Sequence, residues 1–149
     1  MIGGGVPKNY IQDTVICAEL LGKIESNIDL AIKNIKKAAN KKAKIICLPE
    51  LFLTNYFCQT ESHSNFKLAE KIPGKISGIF CDLAKELGVV LNITMFEKKT
   101  SGFYHNTSII INEKGNILSK YRKMHIPDDP GYYEKFYFSP GDLGFKSVK

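Results

Sequence analysis

An α/β fold is the class this sequence predicts, and three features carry the prediction. Apolar residues recur at helical spacing in two stretches, Ile28 to Ala39 and Ile76 to Leu87. A short apolar run follows each directly, Ala43 to Leu48 after the first and Val89 to Phe96 after the second. This alternation of helix-length periodicity with strand-length runs belongs to βαβ units rather than to an all-helical or all-β chain.

Taken in order, residues 1–10 read as an irregular, glycine-containing lead-in, and Ile11 to Cys17 carry enough apolar and β-branched residues for a first strand. Ser26 or Asn27 is the expected N-cap of the first helix, whose face of Ile28, Ile32, Ile35 and Ala39 runs to about Lys42. Lys33, Lys36, Lys37, Lys41, Lys42 and Lys44 crowd its end, where cations complement the helix dipole and form a solvated face. Ala43 to Leu48, closed by Pro49, reads as a strand buried on both faces. The second helix stops at Gly88, the residue type that most readily turns left-handed after a last helical turn. Val89 to Phe96 and Tyr104 to Asn112 join through Ser101-Gly102, and a turn over Glu113 to Asn116 leads into Ile117 to Tyr121, a meander added to the sheet. Ile126 to Gly144, rich in proline, glycine and aromatics, reads as an ordered loop without regular structure.

With 149 residues, 44% hydrophobic and 24% charged, the chain has the profile of a single globular domain over 1–149. No apolar run approaches the ~20 residues needed to cross a bilayer, and the N-terminus lacks the pattern of a secretory signal, so a cytoplasmic protein without membrane contact is expected. The net charge of +6 sits largely in the lysine cluster, without the aromatic interleaving of single-strand binders, so no nucleic-acid partner is expected. The four cysteines show no CxxC pair, and His63, His105 and His125 share no metal-ligand spacing. Free thiols, no metal and no cofactor are the expectation.

Three charged residues have a chemical context. Glu50 follows Leu48-Pro49 at the carboxyl end of a strand, where open α/β sheets place their sites. Flanked by Leu48, Leu51 and Phe52, it is expected to be partly desolvated, which suits a general base; the alternative is a carboxylate that turns outward. Lys123, where another strand runs out, is either an oxyanion-stabilising ammonium or a surface charge. Glu134, enclosed by Tyr132, Tyr133, Phe136, Tyr137 and Phe138, is either a second pocket carboxylate or the partner of a surface lysine. Among the cysteines, Cys47 in its strand and Cys81 on its helix read as inert core residues. Cys58, the one cysteine in a loop near Glu50, is the nucleophile that the residues alone would nominate.

The segments Leu48-Pro49-Glu50-Leu51-Phe52, Tyr121-Arg122-Lys123-Met124-His125-Ile126-Pro127 and Glu134 to Phe145, in that order and separation, resemble the nitrilase superfamily of carbon-nitrogen hydrolases. Tyr56 to Gln59, Leu83 to Val90 and His125 to Tyr132 are similar to its N-carbamoylputrescine amidase branch. The resemblance implies the N-terminal half of a four-layer α-β-β-α sandwich, incomplete at the C-terminus. It implies a Glu-Lys-Cys triad with Glu50 as general base, Lys123 stabilising the oxyanion and Glu134 as a supporting active-site carboxylate. The family's nucleophile lies in a downstream Cys-Trp-Asp type motif, absent from a chain without tryptophan. Cys58 matches a different family position. Tyr56, His125, Asp128 and Asp129 are the expected substrate contacts, an aspartate attracting the distal ammonium of a small carbamoyl-amine. A homo-oligomer and a complementary C-terminal half are the expected partners. A half-sandwich would expose an apolar sheet face, and this chain alone is expected to be poorly stable and without turnover. The alternative reading is an inactive fragment or pseudo-enzyme that serves as an interaction module.

Overall fold

The computed structural model describes residues 24–147. The lead-in over 1–10 and the strand expected over Ile11 to Cys17 lie outside the described residues. Helix α1, Ile24–Asn40, turns Ala31 and Ile35 into the core and keeps the clustered lysines exposed. It already contains Ser26 and Asn27, so neither is the expected cap. Asn27 is buried, and its Nδ2 donates to the Leu53 carbonyl at 2.9 Å, a tertiary tie that overrides the local preference of asparagine for helix starts.

Strand β1, Ile45–Cys47, pairs in parallel with β2, Val90–Thr100, with Ile46 opposite Leu91. Helix α2, Lys75–Leu87, forms the crossover between them. It ends as expected at Gly88, whose φ of 61° is left-handed. Strand β3, Phe103–Ile111, returns antiparallel to β2, and β4, Ile117–Arg122, pairs antiparallel with β3. The sheet order is β1-β2-β3-β4, the expected meander on a parallel pair.

Both helices cover one face of this sheet. Ile46, Leu91, Ile93, Met95, Ile109 and Ile111 pack there against Ala31, Ile35, Phe80, Leu83 and Ala84. Phe80 meets Phe52 edge-on at 5.4 Å, an arrangement aromatic quadrupoles favour. Truncating fully buried Ile35 to alanine would cost about 2–5 kcal/mol.

The other face corrects two expectations. β1 is not buried on both sides: Ile46 is buried, but Ile45 is 60% exposed and Cys47 is exposed. A short apolar run does not say how many of its faces are covered, and here the helices cover only one. Nor is the open face uniformly apolar. Asn92, Thr94, Ser108 and Ser119 share it with Ile110 and Tyr121, and Ser108 donates to Asn92 Oδ1 at 2.6 Å. Phe145 stacks on Tyr121 at 5.6 Å, so the last described residues return over this face.

Beyond β4 the expected loop contains one regular turn, helix α3, Glu134–Tyr137. Tyr137 and Phe138 join Leu51, Cys58 and Phe96 in a second core, with Phe57, Phe66, Tyr104 and Phe136 packed around it. Phe57 stacks on Phe96 at 5.1 Å, and Tyr137 Oη accepts hydrogen bonds from Ser62 N and Asn65 Nδ2. This aromatic cluster fastens the loop after β1 to the loop after β4. Among the described residues no helix is long and apolar enough to cross a membrane.

Candidate active site

Glu50 lies just past β1, and its backbone surroundings are set by β2. Thr94 Oγ1 accepts from Leu51 N at 2.8 Å and donates to the Pro49 carbonyl at 3.0 Å, clamping the residues on both sides of Glu50. Leu51 itself has φ 52°, a left-handed conformation that costs a non-glycine residue about 1–2 kcal/mol. The turn sends Leu51, Phe52 and Leu53 into the core while Glu50 stays outside it. The expected desolvation of Glu50 is therefore corrected: its side chain is 51% exposed, because the apolar neighbours point away from it.

Lys123 is the first residue beyond β4. Its N–H donates to the Asn106 carbonyl at 2.9 Å, and its carbonyl accepts from Gly141 N at 2.9 Å, so the backbone is held from both sides. Its ammonium donates to Glu50 Oε1 at 3.0 Å and to Glu134 at 2.9 Å and 3.2 Å. Partial burial would ease the proton off Lys123, but the bonds to Glu134 and Glu50 outweigh it and raise the pKa. The group is a retained cation between two carboxylates rather than a base.

Glu134, at the start of α3, is only 4% exposed at its side chain, and Tyr56 Oη donates to its Oε1 at 2.9 Å. Burial, followed by this bond to Glu134, holds the Tyr56 proton well above the usual phenol range. Tyr56 is thus a fixed donor, which completes the shell that a buried carboxylate needs.

The chain Glu50–Lys123–Glu134–Tyr56 brings together four of the residues singled out from the sequence. His125, Asp128 and Asp129 are exposed and have no hydrogen bond or ion pair to that set. Asp128 instead lies 3.9 Å from Lys135, and Asp129 exchanges backbone hydrogen bonds with Tyr132, whose ring lies 5.8 Å from that of Tyr56.

The cysteines separate by environment. Cys58 is fully buried, and burial together with the Glu134 carboxylate pushes its thiol up to about 12. A thiol so reluctant to ionise is a poor nucleophile. Cys47, expected in the core, is exposed instead, because it lies on the uncovered face of β1.

Two features of the site escaped the sequence reading. Asn106, 4% exposed on β3, donates Nδ2 to Glu50 Oε1 at 2.6 Å. Asparagine is depleted within strands, so its presence between His105 and Thr107 was an available signal. The second is a buried ion network behind Lys123. Arg122 Nε and Nη2 clasp the Glu97 carboxylate at 2.7 Å and 2.8 Å, while Lys120 and Thr107 add bonds of 2.8 Å and 2.6 Å. Burial alone would raise the pKa of Glu97, yet these donors hold it down at about 2. Arg122 Nη1 also reaches Asp142 at 2.7 Å, next to the Gly141 that holds the Lys123 carbonyl.

The family model "Carbon-nitrogen hydrolase" matches residues 17–149. An N-carbamoylputrescine amidase of Oryza sativa subsp. japonica is 41% identical over 150 residues, covering 100% of this chain and 50% of the relative. A citrullinase of Francisella tularensis is 42% identical, covering 87% of this chain and 43% of the relative. The crystal structure of a carbon-nitrogen hydrolase from Helicobacter pylori G27 superposes with a TM-score of 0.79 at 43% identity, covering 83% of this chain and 43% of that one. The chain thus spans about half the length of the curated relatives it matches. The described fold is that of an N-terminal portion of the nitrilase-type sandwich.

Proposed function

The chain belongs to the carbon-nitrogen hydrolase family, and we propose from that premise that it supplies the glutamate-lysine half of a cysteine amidase site acting on a carbamoyl-amine, N-carbamoylputrescine first of all. The observation that carries this reading is the Lys123 ammonium held between Glu50 and Glu134. Citrulline and N-carbamoylputrescine are both ureido compounds, so the names of two relatives support the carbamoyl-amine class before any one substrate.

The chemistry needs a thiol from outside these 149 residues, since none of them forms the Cys-Trp-Asp motif. Glu50 takes the thiol proton, and the thiolate attacks the carbamoyl carbon. Lys123 stabilises the resulting oxyanion, while Glu134, fixed by Tyr56, keeps the ammonium in place. Collapse expels ammonia, which takes the proton back from Glu50 and leaves a carbamoyl thioester. Water, deprotonated by Glu50, then releases carbamate, which decomposes to carbon dioxide and the amine. Putrescine as the product amine places the reaction in polyamine biosynthesis, in the cytoplasm. Tyr56, His125, Asp128 and Asp129 are the proposed substrate contacts. A complementary C-terminal half completes the site, and the intact enzyme is a homo-oligomer.

The test is ammonia release from N-carbamoylputrescine, with citrulline in parallel, by the protein encoded at the locus read beyond Lys149. Turnover that falls about a hundredfold or more in Glu50→Gln and Lys123→Ala supports the proposal. Turnover untouched by either substitution, or no release from any carbamoyl-amine, overturns it.

A further inference from the structure

Glu50 and Lys123 are 73 residues apart in sequence, and one residue binds both. Asn106 donates its side-chain Nδ2 to Glu50 Oε1 at 2.6 Å and accepts the Lys123 N–H on its backbone carbonyl at 2.9 Å. It sits on β3 opposite Phe96, at the point where the β3–β4 ladder has just ended, and is itself 4% exposed. The Lys123 bond extends that ladder by one step past Arg122, so the register of β4 carries directly into the placement of Lys123.

The two carboxylate oxygens of Glu50 are consequently unequal. Oε1 receives Asn106 Nδ2 and Lys123 Nζ, whereas Oε2 has no hydrogen-bond partner among the described residues. We propose that Asn106 is a positioning residue that pins Glu50 through Oε1 and so assigns Oε2 as the oxygen that exchanges protons with the nucleophile and with water. The assignment of Glu50 as a base rests on the function proposed above; the pinning itself does not. The need for a pin follows from exposure. A glutamate side chain half-open to solvent samples several rotamers, and a bond to a buried, immobile amide removes that freedom. The backbone bond survives any substitution at Asn106 that keeps the strand, so side-chain variants separate pinning of Glu50 from placement of the Lys123 backbone.

The experiment follows the Lys123 ammonium by NMR of the 149-residue chain across its alkaline titration, in wild type, Asn106→Leu, Glu50→Gln and the double variant. The Lys123 ammonium faces Glu50, Glu134 and Cys58, with Tyr56 on the same Glu134 oxygen, and of the bonds the ammonium makes only the one to Glu50 runs through the Asn106 side chain. Asn106→Leu is expected to lower the proton affinity of Lys123 by about three- to tenfold, Glu50→Gln by a similar factor, and the double variant by no more than either. Asn106→Ser, which keeps a short donor, is expected to restore part of the loss. Additive effects in the double variant, or a wild-type titration in a folded Asn106→Leu, would overturn the proposal. If Asn106→Leu fails to fold, judged by amide dispersion, Asn106→Ser and Asn106→Ala carry the same comparison. Absence of carbamoyl-amine turnover in the longer protein would defeat the functional reading and leave the pinning result standing.

Discussion

Gly141 packs so closely on Arg122 that an added Cβ would lie 1.9 Å from the Arg122 carbonyl oxygen. The same glycine donates its N–H to the Lys123 carbonyl, so the loop after α3 and the end of β4 form one unit. Gly141→Ala must push the loop away. A loss of about 1–3 kcal/mol is expected, readable as a lower urea midpoint with unchanged slope. Gly131→Ala at the turn beside Tyr132, where nothing lies within 4 Å, meets only its own left-handed strain and is expected to cost less.

The Glu97 cluster should make the protein sensitive to acid. Its carboxyl titrates at about 2 in the folded chain against 4.5 for the free side chain. A folded pKa below the unfolded one gives stability that is present above the unfolded value and lost as pH falls from 4.5 toward 2. Through Glu97 alone this is on the order of 3 kcal/mol. Urea midpoints at pH 7, 4 and 3 should fall through that window. Glu97→Gln should be less stable at pH 7, because it removes the carboxylate clasped by two of the Arg122 nitrogens and leaves the buried guanidinium with Asp142 alone, and should lose the Glu97 part of the slope. An identical pH slope in Glu97→Gln would show that other carboxylates govern the acid limb.

The elements that were legible before the structure are those with one dominant local cause. Helix α2 follows from the spacing of Ile76, Phe80, Leu83 and Leu87 and from Gly88, and the meander follows from turn residues at 101–102 and 113–116. What escaped depended on distant partners. Asn27 looks like a cap until Leu53, 26 residues away, takes its amide. The run at Ala43 to Leu48 looks doubly buried because its composition cannot count covering layers. Glu50 stands out at a strand end, but its exposure follows from the left-handed Leu51, a conformation leucine gives no reason to expect. Asn106 reads as one of four consecutive polar residues, His105 to Ser108, and its role emerges only once Glu50 is 2.6 Å away.

Cysteine reactivity offers a direct check on the nucleophile. Cys58 is buried with a thiol pushed up to about 12, whereas Cys47 is exposed on the open face of β1. Iodoacetamide at pH 7.5 should modify Cys47 in the folded chain about a hundredfold faster than Cys58, by peptide mass spectrometry, and the difference should vanish in urea. Rapid modification of Cys58 in the folded chain would return it to candidacy as the attacking thiol.

Tyr56 and Lys123 both donate to Glu134 Oε1, and the substitution Tyr56→Phe isolates the tyrosine bond. The ring, and with it the 5.8 Å contact to Tyr132, is retained, while the 2.9 Å bond to Glu134 Oε1 is removed. Glu134 is nearly buried, so the lost donor is not simply replaced by bulk water, and a destabilisation of about 1–2 kcal/mol is expected. Glu134→Gln should cost more, because it leaves both Tyr56 and the Lys123 ammonium with a neutral partner. The ordering Glu134→Gln below Tyr56→Phe below wild type in thermal midpoint is the expected result. A Tyr56→Phe protein as stable as wild type would mean that solvent reaches Glu134 and that Lys123 alone holds the carboxylate.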